Sequence, residues 1–229
     1  MVKALAALAL TACSVPGVTL EGKQCPCADG YTCNIATNTC QVTGDAQFGS
    51  SCLGAEGAPL FAVNFDGDML PLTQGLGTWT ASGGQAQQTD AAAAFAFAYS
   101  TSAVPSDYRV AATVTPASGA AGIALRTTLG AKTMYFCDWR ADTATLELGF
   151  TNNGGQPSAI MSMTATPSTG PVTIHAEARG ANLACCIDEV PAAKLLMIPD
   201  SRYANGQPGL VTETGTATFD GFVVSALPI

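Results

Sequence analysis

The chain has 229 residues, a formal net charge of −8 and a pI near 4.4. Hydrophobic residues make up 48% and charged residues only 11%, which supplies a core and excludes a basic nucleic-acid surface. Anionic lipid headgroups would repel it, and no apolar run reaches the roughly 18 residues of a spanning helix, so membrane attachment is expected to be covalent or through a partner.

Met1-Val2-Lys3 carries one positive charge, and Ala4 to Leu10 form a short apolar run ending in Leu10-Thr11-Ala12-Cys13. This ending is similar to the lipobox of bacterial lipoproteins. The resemblance implies a signal peptide over residues 1–12 and acylation of Cys13, with acyl chains supplying the membrane affinity. Ser14 after that cysteine implies the outer membrane or cell surface. An ordinary secretory signal is the alternative. Removing Cys13 leaves eight cysteines of the nine, an even number of the kind disulfide frameworks use. Residues 13–24 contain Pro16, Gly17 and Gly22 without periodicity and read as a tether.

Cys25, Cys27, Cys33, Cys40 and Cys52 crowd the next stretch. Residues 25–52 are too few to bury a core, so crosslinks are expected to replace one. A zinc site competes with this reading, but the spacing lacks paired Cys-x2-Cys knuckles. Five is odd, so at least one must pair outside, with Cys137, Cys185 or Cys186. Cys52 is expected to do so, leaving the other two to pair together. Such usage points to an oxidising compartment.

From residue 59 to 229 short apolar or alternating runs follow one another between turn signals. Leu60–Asp66 comes first, then Trp79 opening a second strand, Ala92–Ser100 and Tyr108–Thr115. In the last, Tyr108, Val110, Ala112 and Val114 share one face, the period of a half-buried strand. Gly122–Thr128, Thr133–Trp139 and Ala144–Phe150 follow, then Asn152-Asn153-Gly154-Gly155 as a hairpin turn. Ile160–Ala165, Val172–Arg179, Ala184–Asp188, Gly209–Thr214 and Ala217–Val224 complete the series. Val172, Ile174, Ala176 and Ala178 are expected inward, with His175 and Glu177 outward. Tyr135, Cys137 and Trp139 share one face of their strand, and Met134 and Phe136 the other. About a dozen such strands without helical periodicity call for two facing antiparallel sheets.

Phe65-Asp66-Gly67-Asp68, Gly77-Thr78-Trp79 and the closing Gly209-Leu210-Val211-Thr212 … Phe219-Asp220-Gly221-Phe222-Val223-Val224 resemble the opening and closing strands of concanavalin A-like (laminin G-like) jelly-roll sandwiches. The resemblance implies an all-β antiparallel jelly roll behind a small disulfide-rich module, and a place among lectins and glucanases. It also implies calcium where first and last strands adjoin, with Asp66, Asp68 and Asp220 at those places. Calcium takes 6 to 8 oxygens, so carbonyls and water would have to complete the shell. The alternative is that these aspartates cap turns.

The laminarinase-type glycosidases of that fold carry E-x-D-x-E along one strand, a pattern missing here. Tyr135, Trp139, Arg126, Arg140, His175, Glu177 and Tyr203 are the candidate ligand-binding residues, since aromatic rings stack on sugars and charged groups satisfy hydroxyls. The expected function is a lipid-anchored, non-catalytic binding module for carbohydrate. The alternatives are a glycoside-cleaving enzyme using Glu147 and Glu177 on one sheet face, and a structural envelope protein with a protein partner.

Overall fold

The computed structural model describes residues 31–34, 39–42, 51–152, 157–168 and 170–228. The signal segment, Cys13, the tether, Cys25, Cys27 and Asn153, Gly154 and Gly155 of the expected hairpin turn lie outside them. The chain divides into two compact units, residues 1–43 and 44–229. In the first, β1 (Tyr31–Asn34) and β2 (Thr39–Val42) form an antiparallel ladder in which Cys33 and Cys40 are register partners.

The second unit opens with β3 (Pro59–Val63), β4 (Leu72–Leu76), β5 (Trp79–Ser82), β6 (Gln85–Gln88) and β7 (Phe95–Ser100). It continues through β8 (Tyr108–Pro116), β9 (Ala120–Thr128), β10 (Thr133–Arg140), β11 (Thr145–Thr151) and β12 (Ser158–Thr164). It ends with β13 (Val172–Arg179), β14 (Asn182–Ile187), β15 (Lys194–Pro199), β16 (Gln207–Glu213) and β17 (Ala217–Ser225). Seven strands form one sheet in the order β12-β11-β10-β9-β16-β7-β4. The other sheet runs β15-β14-β13-β8-β17-β6-β5, with β3 also pairing with β17 to make eight. All pairings in both sheets are antiparallel.

The alternating faces build the space between the sheets. Tyr108, Val110, Ala112 and Val114 of β8 and Val172, Ile174, Ala176 and Ala178 of β13 join one core with Ile123, Leu125, Tyr135, Trp139, Leu146 and Leu148 of the other sheet. Each large side chain taken from water contributes roughly 1.5–3 kcal/mol. Cys137 of β10 bonds to Cys185 of β14 and so ties the two sheets through that core. On β17 the strict alternation breaks. Gly221 has φ 58° and sits at a register shift between Asp220 and Phe222, a bulge that puts both Phe219 and Phe222 into the core.

Candidate functional site

The two sheets differ in what their outer faces carry. On β13 the residues between the core positions are Thr173, His175 and Glu177, and all are buried. Residues 51–57 lie over them as a strap. Its first turn closes with reciprocal backbone bonds between Ser51 and Gly54, and Cys52 is bonded to Cys186 of β14. Arg109 of β8, only 2% exposed, holds the strap down. Its guanidinium donates to the carbonyls of Leu53 (3.1 Å) and Ala55 (2.9 Å) and to Glu177 Oε2 (2.6 Å). Glu177 also accepts from Arg179 at 2.8 Å. His175 sets Nε2 2.8 Å from Asp188 Oδ2 and Nδ1 3.4 Å from Glu56 Oε1. Burial pulls the Glu56 carboxyl up, but hydrogen bonds from His175 and Ser51 and the charge of Arg109 outweigh it, leaving its pKa lowered.

The outer face of the seven-stranded sheet has another character. Register aligns Phe97, Val211, Gly122, Asp138, Glu147 and Ser162 in one row across β7, β16, β9, β10, β11 and β12. The next row carries Phe95, Glu213, Ala120 and Arg140. Phe95, Phe97, Met134, Phe136 and Val211 form a second apolar cluster beside the acids. Two glycines make room for its rings: a Cβ at Gly149 would come within 2.2 Å of Phe136, and one at Gly75 within 2.0 Å of Phe97.

Three acids and one arginine meet there. Arg140 donates to Glu213 Oε2 at 3.2 Å. Asp138 is 1% exposed, and its Oδ2 has no partner among the described residues. Burial pushes the Asp138 carboxyl well above the usual range, Glu213 and Glu147 push it further, and Arg140 opposes them. Glu147 is raised by burial and then by Glu213, again against Arg140. Burial and the neighbouring acids thus favour the neutral form of Asp138, which has one hydrogen to donate and lone pairs to accept. Glu147, Glu213 and Arg140 are half-buried around it.

No protein-family model matches the sequence, and a search of curated proteins finds no match. Solved structures do match. A carbohydrate-binding module, CBM66 from Bacillus subtilis, superposes with a TM-score of 0.61 at 23% identity over 69% of this chain and 97% of its own. LamAcat from Zobellia galactanivorans gives 0.52 at 11% identity, over 73% of this chain and 97% of its own. The exoplasmic/lumenal domain of VIP36, in a Ca2+/Man3GlcNAc-bound form, gives 0.52 at 12%, over 73% and 89%. The sandwich is of the concanavalin A-like type.

Within this concanavalin A-like sandwich the candidate ligand residues fall into four places. Tyr135 and Trp139 are fully buried and face the core, where the Tyr135 hydroxyl donates to Asp200 Oδ1 at 2.6 Å and its ring packs 4.9 Å from Tyr203. Arg126 is 1% exposed and donates to the carbonyls of Ser106, Gly180 and Tyr203, so it clamps loops. Tyr203 donates to the Thr151 carbonyl. His175 and Glu177 point outward from their sheet, but the strap covers them. Arg140 alone of the set joins the group around Asp138.

The expected meeting of Glu147 and Glu177 is overturned: β11 and β13 belong to different sheets. The neighbour of Glu147 is Asp138. Glu213 carried no signal beyond its place at the end of a strand.

For calcium, Asp68 Oδ1 accepts from the Leu70 amide at 3.0 Å, and Asp66 accepts from the Asn64 side chain. Those are turn-capping roles, and Asp66, Asp68 and Asp220 form no cluster of ligand atoms among the described residues. Cys52, His175 and Asp188 do form such a cluster, with ligand atoms within 4.8 Å of one another. The disulfides Cys52–Cys186 and Cys137–Cys185, both among the described residues, indicate an oxidising, extracytoplasmic setting.

Proposed function

We propose that the protein is an extracytoplasmic carbohydrate-binding module whose sugar site is the outer face of the seven-stranded sheet, centred on Asp138. The observation that carries this reading is the buried Asp138 oxygen without a partner. Leaving such an acceptor unmade is unfavourable by roughly 1–3 kcal/mol, and a ligand hydroxyl reaching it would recover that energy. Glu147, Glu213 and Arg140 around it offer acceptors and a donor to further hydroxyls. The fold is shared with a carbohydrate-binding module from Bacillus subtilis, which supports the class and not the ligand.

The lipobox-like Leu10-Thr11-Ala12-Cys13 extends the proposal to an acyl anchor on Cys13 that holds the module on the outer membrane or cell surface. Fatty-acid labelling that disappears in Cys13→Ser tests that part.

The side-by-side Asp138 and Glu147, both with raised pKa values, favour glycoside cleavage as the second reading, since such enzymes pair a protonated acid with a carboxylate. One experiment separates the readings. Wild type, Asp138→Asn and Glu147→Gln are presented to a polysaccharide panel, with binding and reducing-end release both measured. Binding without release, weakened by Asp138→Asn, supports the module. Release that Asp138→Asn or Glu147→Gln abolishes supports the enzyme. Neither signal on any polysaccharide rejects both.

A further inference from the structure

We infer that the strap hides a binding site for a divalent transition metal of the zinc class, closed while Cys52 is bonded to Cys186 and opened by reduction of that bond. The donor atoms are already gathered. Cys52, His175 and Asp188 place sulfur, nitrogen and oxygen within 4.8 Å of one another. At bond lengths of about 2.0–2.3 Å, ligands of a tetrahedral zinc ion stand roughly 3.3–3.8 Å apart, so shifts of about 1 Å, with His175 and Asp188 parting from their 2.8 Å contact, would fit these three donors to the ion. His175 and Cys186 are register partners on β13 and β14, and Asp188 follows Cys186 by two residues, the spacing that returns a side chain to the same face. Reduction therefore releases two sulfurs beside one imidazole and one carboxylate, a four-donor set.

The surroundings are those of a ligated histidine. His175 is fully buried, and its Nε2 faces Asp188 at 2.8 Å, where a cation would insert. Its Nδ1 lies 3.4 Å from Glu56 Oε1, and a carboxylate on the far ring nitrogen is the usual support for a metal-bound imidazole. Asp188 Oδ1 accepts from the Cys52 amide at 2.7 Å, which aims that carboxylate toward the cysteine. Mixed sulfur, nitrogen and oxygen donors suit zinc or cobalt and not calcium, which takes oxygen.

The chemistry balances. A dithiol reductant gives two electrons and two protons to the Cys52–Cys186 bond and ends as its own disulfide. The metal then displaces the thiol protons, which leave to solvent. The strap thus exchanges a covalent staple for a coordinate one. Nothing in this step involves the group around Asp138, so it stands apart from the sugar reading.

The test uses the full chain with Cys13, Cys25, Cys27, Cys33 and Cys40 changed to serine, so that the sandwich cysteines remain. Samples oxidised, or reduced with a phosphine that is then removed, are titrated with cobalt(II). The reduced protein is expected to bind one equivalent, with thiolate-to-cobalt charge transfer and tetrahedral d–d bands that zinc abolishes. Affinity should fall at least tenfold in the oxidised sample, in Cys52→Ser and in His175→Gln. Asp188→Asn, at a half-buried position, guards against a His175 variant that fails to fold and should also weaken binding. Equal binding by the oxidised protein, full binding by His175→Gln, or no one-to-one complex in a reduced sample with native circular dichroism would overturn the inference.

Discussion

The outer faces of the two sheets bury charged groups in opposite ways. On the eight-stranded sheet the partners are supplied: Arg109 is met by strap carbonyls and Glu177, and His175 by two carboxylates. On the seven-stranded sheet Asp138 is as deeply buried, yet one of its oxygens is unpaired and acids outnumber the arginine beside it. Burial of a polar side chain therefore does not by itself mark a site. An unanswered polar group calls for an explanation, and at Asp138 the ligand we propose supplies one.

The strongest way to break this contrast is to open the closed face. Arg109→Ala leaves Glu177 buried with only Arg179, itself half exposed, and strips the strap carbonyls of their donor. Loss of one partner from a buried pair destabilises by about 3–5 kcal/mol, and urea denaturation should show a fall in unfolding free energy of that size. A change under about 1 kcal/mol would mean that the strap is held by its disulfide and by the Glu56–His175 and Cys52–Asp188 contacts rather than by Arg109. The double variant Cys52→Ala/Cys186→Ala asks the converse. It removes a link between residues 134 apart in sequence, worth about 2–4 kcal/mol. Hydrogen exchange should then rise in residues 51–57 while β9 and β10 stay protected.

Sequence made the core between the sheets legible and hid both outer faces. Val172 to Ala178 alternate apolar with polar, so the core side of β13 was readable from period alone, and so was the sandwich it implies. The strap was not: residues 51–57 have no apolar period, and their order comes from Arg109 reaching them across more than fifty positions. Alternation placed His175 outward correctly but could not show that another segment covers it. β4, β6 and β15 escaped notice because Leu72–Leu76 and Gln85–Gln88 are polar or glycine-broken, and Lys194–Pro199 runs apolar without alternation. Met134 and Phe136 could not be ranked against Tyr135 and Trp139, and the structure explains why: both faces of β10 are buried, in two different clusters. The group around Asp138 depends on which residue of β11 stands opposite β10. Register sets that, and a single strand does not reveal it.

The open face gives a pH signature. Asp138 has its folded pKa raised above the unfolded value near 3.9. The folded state keeps a proton that the unfolded chain releases, so stability is fully present below the unfolded pKa and falls as pH rises toward the folded one, by at most about 1.4 kcal/mol per pH unit for one proton. Asp138→Asn mimics the neutral acid and should flatten that decline. The difference between wild type and variant, from melting temperatures between pH 4 and 8, should therefore grow with pH in favour of the variant. A constant difference would mean that Asp138 is ionised in the fold and already has a cation or donor beside it.

Glu56, on the closed face, should show the opposite sign and the smallest effect. Its pKa is lowered, although burial alone would raise it, because His175, Ser51 and Arg109 favour the charged form. Stability from this carboxylate is present above its unfolded pKa and is lost as pH falls through the folded value. Glu56→Gln keeps the shape and removes the charge, so it should destabilise at neutral pH and converge with wild type in acid. The side chain is 19% exposed, and solvent screening holds the expected loss to about 1 kcal/mol or less. Melting curves of the two proteins at pH 7 and at pH 3.5 check this. A gap that widens in acid would mean that Glu56 is strained against its neighbours rather than stabilised by them, and the strap would then have to be held by Arg109 and the disulfide without help from the Glu56–His175–Asp188 chain.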